Sequence, residues 1–193
     1  LCDFCDEYSL SGVILAGLKL GDAYIDEIKN SDIPCVGIDI RLKGKMAASV
    51  LTDEVKAFKE ITDYVIDKGF EKLVLIKGKD EAEVTTDRFK GFKKAIRERG
   101  VSKENIDILG CKFDEELAYK DVLSYIKKYK KTKGRAFVCM SDLMAIAAMR
   151  AVEDSGYKAG EDFFVTGFDG MQFLNYIRPR IATIDQNMRK KGY

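Results

Sequence analysis

Residues 54–76 read EVKAFKEITDYVIDKGFEKLVLI, and this stretch decides the fold class. Val55, Phe58, Ile61, Thr62, Val65 and Ile66 recur at helical spacing, which predicts an amphipathic helix over about 54–68. Gly69 stands where a left-handed helix cap belongs. Leu73-Val74-Leu75-Ile76 follows as a short run that is apolar on both faces. A strand of that kind has to be covered on both sides, which is the condition of a parallel strand between helix layers. A helix feeding a doubly covered strand is the repeating unit of an α/β domain.

The alternation continues in both directions. Towards the N-terminus, Gly12-Val13-Ile14-Leu15-Ala16 is expected to be another doubly covered strand. A short helix over about 22–29 presents Ala23, Ile25 and Ile28, and Cys35-Val36-Gly37-Ile38-Asp39 is a strand introduced by Pro34. Ser49-Val50-Leu51-Thr52 is a weaker one. Towards the C-terminus, a helix over about 87–99 carries Phe89, Phe92 and Ile96 and stops at Gly100. Strands at Ile106-Asp107-Ile108-Leu109, Ala136-Phe137-Val138-Cys139-Met140 and Phe163-Phe164-Val165-Thr166-Gly167 alternate with helices over about 115–128 and 144–152. Ile181-Ala182-Thr183-Ile184 reads as a last short strand. Phe58, Phe89 and Phe92, at helical spacing, are assigned to the core. The whole is an α/β fold of parallel sheets flanked by helices.

Composition sets the boundaries of function. In 193 residues, 46% hydrophobic content suffices for a large interior, and 33 basic residues almost balance 32 acidic ones. A chain that gripped nucleic acid along its length would be strongly basic, so any DNA-binding part is expected outside this stretch. The run Lys127-Lys128-Tyr129-Lys130-Lys131-Thr132-Lys133 is read as a solvated helix end, favoured by the helix dipole. Cys2, Cys5, Cys35, Cys111 and Cys139 are odd in number and scattered, as free thiols of a reducing, cytoplasmic compartment would be. Cys2-x-x-Cys5 has a metal-like spacing, but no second pair follows and the chain has no histidine, so no metal site is assigned. No apolar run approaches the roughly 18 residues needed to cross a bilayer. Phosphate-binding glycine loops and a nucleophile elbow are both missing, so neither a cofactor nor enzymatic chemistry is expected.

In open parallel sheets, ligands bind beyond the carboxyl ends of the strands. Asp39, Ser141, Asp142, Asp169 and Gln186 all follow apolar runs, and Arg88 opens the helix after Leu73–Ile76. Carboxylates, an amide and an arginine, interleaved with Phe168 and Phe173, suit a polyhydroxylated small molecule. The plainer alternatives are specific. Asp142 is assigned first as the cap of the helix that follows it, Asp39 and Asp169 serve equally well as turn residues, and Arg88 could pair at the surface with Asp87 or Glu83.

The order of these motifs resembles the lactose/galactose-repressor family of bacterial transcription regulators, whose core is similar to periplasmic sugar-binding proteins. The matching stretches include Ser11–Gly17, Ile33–Asp39, Tyr64–Phe70, Arg88-Phe89-Lys90-Gly91-Phe92 and Ser141–Met149. The most specific are Val165-Thr166-Gly167-Phe168-Asp169-Gly170 and Ile181–Gln186. The resemblance implies a two-lobed periplasmic-binding-protein-like fold with a small-molecule effector, a sugar first of all, held between the lobes. It places 1–51 in a partial N-lobe, 52–185 in the C-lobe and 186–193 in a helix returning to the N-lobe. It also implies a chain cut short at both ends, a homodimer, and operator DNA bound through a helix-turn-helix absent from this sequence.

Carried over by position, Arg88 and Asp169 correspond to the family's effector-binding arginine and aspartate, and Asp39 and Gln186 to cleft-lining positions. Ser141 stands where Asn is usual, Gly170 replaces an acidic residue, Phe70 a His, and Glu54 an Asn at the lobe crossing; Glu54 and Phe70 look structural. The helix over 144–152, with Phe173 and Tyr176, is either part of the dimer surface or an internal core helix. A transporter-associated sugar receptor and an α/β sugar-acting enzyme are the competing readings.

Overall fold

The computed structural model describes residues 1–16, 21–70, 72–129 and 134–192. The chain divides into two compact units, one of residues 1–52 and 188–193, the other of residues 53–187.

In the first unit, α1 (Cys2–Glu7), β1 (Val13–Ala16), α2 (Asp22–Asn30), β2 (Cys35–Ile38) and β3 (Ala47–Val50) follow one another, and α7 (Met188–Lys191) joins them from the far end of the chain. The strands pair in parallel in the order β1-β2-β3. Leu15, Ile28, Cys35 and Ile40 form its small core. Ile14 remains 71% exposed, so β1 is covered on one face rather than on the expected two. Its outward face meets no apolar layer among the described residues. The weaker strand begins two residues earlier than expected, at Ala47, and the acidic start of the chain forms the short α1, which the sequence reading did not anticipate. Gly17, the last residue of the first matching stretch, lies outside the described residues.

The second unit contains α3 (Glu54–Asp67), β4 (Lys72–Lys77), α4 (Glu83–Glu98), β5 (Ile106–Gly110), α5 (Glu115–Lys128), β6 (Arg135–Cys139), α6 (Asp142–Asp154) and β7 (Phe163–Thr166). All neighbouring strands are parallel, in the order β5-β4-β6-β7. Leu73, Val74, Leu75 and Ile76 of β4 are each fully buried, as the both-faces-apolar pattern requires. On α3 the stripe Phe58, Ile61, Thr62 and Val65 is buried, and Gly69 takes φ +82° just past the helix end, a conformation glycine adopts without strain. Helix α3 packs on α4, and α5 packs on α6. A β-carbon on Gly91 would stand 2.4 Å from the Val55 carbonyl oxygen, so the first of these contacts depends on a bare backbone.

Some expectations need correction here. Phe58 and Phe92 are fully buried, but Phe89 is only half-buried, with the Lys77 and Lys93 ammonium groups 4.9 and 4.6 Å from its ring centre. The ring lies on the flank of α4, where lysine stems shield it. Residues 181–184 form no regular strand. They make isolated parallel bridges, Thr166 with Ala182 and Asp169 with Asp185, because the chain beyond β7 turns through a positive φ at Asp169. The lysines at 130, 131 and 133 lie outside the described residues. Among the described residues, Cys5, Cys35, Cys111 and Cys139 are buried thiols that form no disulfide.

Candidate functional site

The sequence of the second unit runs from β4 out to β5 on one side and then back to β6 on the other. The strand order therefore reverses between β4 and β6, and the crevice beyond their carboxyl ends is where an open parallel sheet accommodates a ligand. Two bonds mark that point. The Gly78 N–H, just past β4, donates to the Met140 sulfur at 3.4 Å, and Nη1 of Arg88 donates to the Met140 carbonyl.

Arg88 is 4% exposed and does not make the surface pair with Asp87 or Glu83. Its Nε donates to Glu54 Oε2 at 2.7 Å and its Nη2 to Glu54 Oε1 at 3.4 Å. The same Nη2 lies 3.5 Å from Asp169 Oδ1. One face of the guanidinium rests on the Phe168 ring, 4.0 Å from its centre. Arg88 is thus held in a plane by an aromatic face, a carbonyl and two carboxylates, an arrangement suited to a group that presents its remaining N–H bonds without reorganising.

Asp169 follows β7 with φ +124°. Its strained backbone is clamped from both sides: its N–H donates to the Ile184 carbonyl at 3.0 Å and its carbonyl accepts from the Gln186 N–H. Gln186 Nε2 donates to Asp169 Oδ1 at 2.7 Å. Burial pushes the Asp169 carboxyl up from its ordinary pKa; Arg88 opposes that shift and the nearby Asp142 charge adds to it. A β-carbon on Gly170 would lie 2.5 Å from Asp185 Cα, which explains why no acidic side chain occupies this turn.

The next two residues exchange their expected roles. Ser141 caps α6, its backbone extended (φ −156°, ψ 160°) and its hydroxyl accepting from the Met144 N–H at 3.3 Å. Asp142 is already the first helical residue and turns inward, fully buried. Its Oδ2 accepts from the Met171 N–H at 2.7 Å and its Oδ1 from the Thr183 hydroxyl at 2.6 Å. It ties the loop carrying Phe168 and Asp169 to the segment carrying Gln186. Burial raises its pKa, against the hydrogen bonds from Met171 and Thr183. Phe168 is likewise fully buried, stacked on Phe58 at 5.7 Å, so its ring supports Arg88 instead of lying open to a sugar. Phe173, on the turn Gln172–Tyr176, is 38% exposed.

In the first unit, Asp39 ends β2 with φ +55°. Both its carboxylate oxygens accept from the Lys191 ammonium, at 2.9 and 2.8 Å, and Oδ1 also faces the Thr52 N–H at 3.4 Å. The Lys191 side chain is only 8% exposed.

The second unit therefore brings together Arg88, Phe168, Asp169, Gln186 and, behind them, Asp142 and Ser141. Asp39 belongs to the first unit. Sequence reasoning missed Glu54 and Lys191 as partners. The signal for Glu54 was present, since a charge replaced the common amide there, but its partner lies 34 residues away. Nothing in the local sequence pointed to Lys191.

A family model described as a periplasmic binding protein-like domain matches residues 62–193. The HTH-type transcriptional regulator MalR of Clostridium butyricum is 28% identical over 191 residues, an alignment covering 97% of this chain and 56% of MalR. The chain thus spans little more than half the length of that curated relative. Among solved structures, a LacI family transcriptional regulator from Enterococcus faecium with bound ribose superposes with a TM-score of 0.84 at 21% identity, covering 96% of this chain and 68% of that one. A sugar-binding transcriptional regulator of the LacI family from Escherichia coli, complexed with phosphate, gives 0.84 at 20% identity, covering 98% and 68%.

Proposed function

This chain belongs to the family of periplasmic binding protein-like domains, and from that membership we propose that it is the effector-sensing core of a bacterial DNA-binding transcription regulator. The effector is a small polar molecule, a sugar in the first place, bound at the carboxyl ends of the strands of the second unit. The observation that carries this reading is the buried Arg88, fixed over Phe168 beside Asp169 at the strand-order reversal. A buried guanidinium beside partly exposed carboxylate and amide groups is a preorganised hydrogen-bonding site for hydroxyl groups. The likeness to MalR and to the ribose-bound regulator supports the assignment to regulation and to sugars. Ser141 and Gln186, in the same unit, are assigned to the same ligand, whereas Asp142 and Phe168 act by holding Asp169 and Arg88 in place.

Regulation would follow from a population shift. An effector that binds one arrangement of the protein more tightly than another biases the equilibrium by that difference in affinity, and DNA binding by another part of the protein responds. The regulator acts in the cytoplasm as a homodimer. Helix α6 is mostly internal, yet Leu143, 43% exposed, and the half-buried Ile146 form an apolar strip beside Tyr119 of α5. That strip is the surface offered to a second copy.

The test is a thermal-shift screen of the full-length protein against neutral sugars, sugar phosphates and nucleobases. Wild type is compared with Arg88→Lys and Asp169→Asn. A ligand at about a hundred times its Kd stabilises the fold by roughly 2.7 kcal/mol. The expected result is a shift with a sugar that both variants lose. A shift that survives both substitutions places the ligand elsewhere.

A further inference from the structure

Arg88 reaches this site with its charge already answered. Nε and Nη2 donate to the two oxygens of Glu54, Nη1 donates to the Met140 carbonyl, and Nη2 also faces Asp169. The side chains of both Glu54 and Arg88 are about nineteen-twentieths buried, at 6% and 5% exposure, so water screens their interaction little. Asp142 stands behind as a further buried carboxylate. One guanidinium among three carboxylates leaves the cluster negative by formal count.

From this we infer that Glu54 is a specificity determinant: by occupying the Arg88 fork it makes the site select neutral, hydroxyl-bearing ligands and reject anionic ones such as sugar phosphates. The inference rests on the reading of Arg88 and Asp169 as effector contacts and names the class of effector they admit. An anion entering here would lose its hydration and meet a negative field, with no free bidentate donor edge to compensate it. A sugar hydroxyl carries no net charge. It can donate to Asp169 and accept from what remains of the Arg88 donors. A regulator of similar fold has been solved with phosphate and another with ribose, so the architecture admits both chemistries, and a local charge is the economical way to choose between them.

The experiment uses the full-length protein and inorganic phosphate, titrated calorimetrically against chloride at matched ionic strength. Wild type, Glu54→Gln, Glu54→Asn and Glu54→Gln/Arg88→Lys are compared, with circular dichroism confirming the fold of each. Wild type is expected to show no phosphate-specific heat. Glu54→Gln should bind phosphate at least tenfold more tightly than wild type, and the double variant should lose that gain. Glu54→Asn gives the same readout if Glu54→Gln fails to fold. Phosphate binding by wild type equal to that of the variants overturns the inference, and so does a folded variant that gains nothing. A wild-type comparison of ribose with ribose 5-phosphate and of glucose with glucose 6-phosphate adds an arm independent of any variant: tighter binding of a phosphorylated sugar also overturns it. Failure of every neutral sugar to bind wild type would instead count against the proposed function, whatever phosphate does to the variants.

Discussion

Nε of Arg88 donates to Glu54 Oε2 at 2.7 Å, joining the second turn of α4 to the first residue of α3 inside the protein. Glu54 follows directly after the first residue of the second unit, so the arginine at the candidate site is tied to the point where the chain enters that unit. The pair is buried on both sides, and a buried pair behaves differently from a surface one: neither partner can be removed alone without stranding the other.

The first prediction follows from that asymmetry. Arg88→Met leaves Glu54 uncompensated and is expected to cost about 3–5 kcal/mol in urea unfolding. Glu54→Gln/Arg88→Met removes both charges and should recover most of that loss, because a well-packed neutral pair can match a buried ionic one. Additive losses across the double-mutant cycle would show that the two side chains do not act as a pair.

A second prediction concerns Gly167. A β-carbon there would lie 2.2 Å from Asp142 Oδ1 and 3.3 Å from the Ala145 side chain, in a fully buried spot. Gly167→Ala must therefore push the Asp142 carboxylate off Thr183 and Met171, two of the bonds that hold the Phe168–Asp169 loop. A loss of about 1–3 kcal/mol is expected in thermal unfolding, with sugar binding weakened as well. Full stability and unchanged ligand affinity would mean that the loop does not depend on Asp142.

The strands and the polar residues at their ends were legible because each is a local pattern. Leu73–Ile76 announces a doubly covered strand by itself, and Gly69 announces the end of α3. What a side chain touches was not legible. Ser141 and Asp142 are adjacent, and either oxygen could cap a helix; only the extended backbone at Ser141 decides which one does. The Phe168 ring was read as a cover for sugar, and it lies instead beneath the guanidinium, a choice made by the packing of Phe58 from another helix. Asp39 and Lys191 meet across 152 residues, a separation that no spacing rule reaches.

The thiols give a third prediction. Cys111 is fully buried, and burial, with the Asp121 carboxylate accepting its S–H at 3.7 Å, pushes its pKa up to about 12. Cys139, wholly enclosed in β6, is raised well above the ordinary value by the same desolvation. The thiolate is the reactive form, so neither residue should alkylate at pH 8 while the protein is folded. Mass spectrometry after iodoacetamide should find both unlabelled in native protein and labelled in urea. Rapid native labelling of Cys111 would show that β5 and its following turn open readily.

At the proposed dimer surface, Leu143→Glu places a charge in the apolar strip beside Ile146 and Tyr119 at a side chain that is 43% exposed and outside the core. Sedimentation of the full-length protein should show dimer giving way to monomer, with thermal stability at low concentration little changed. Dimers that persist at the wild-type affinity would assign this strip to the surface of a protomer that pairs elsewhere.

The last prediction is a pH dependence with a definite sign. Asp63 on α3 accepts from Lys59 Nζ at 2.6 Å and from Arg99 Nε at 3.0 Å, linking α3 to the end of α4. Desolvation alone would raise its pKa, but the bonds and charges of Lys59 and Arg99 outweigh it and hold the carboxyl below the usual carboxylate range. A carboxyl depressed in the folded state binds its proton more tightly when unfolded. Its contribution is therefore complete above the unfolded value, about 3.9, and is lost as pH falls through the lower folded value. Because solvent reaches both cations, Asp63→Asn should cost only about 1 kcal/mol at pH 7. The gap between wild type and variant in urea unfolding should hold from pH 7 to 5, close progressively below about pH 4, and shrink in high salt. A gap that stays constant down to pH 2.5 would mean that the Asp63 network contributes through packing, with its charge making no difference.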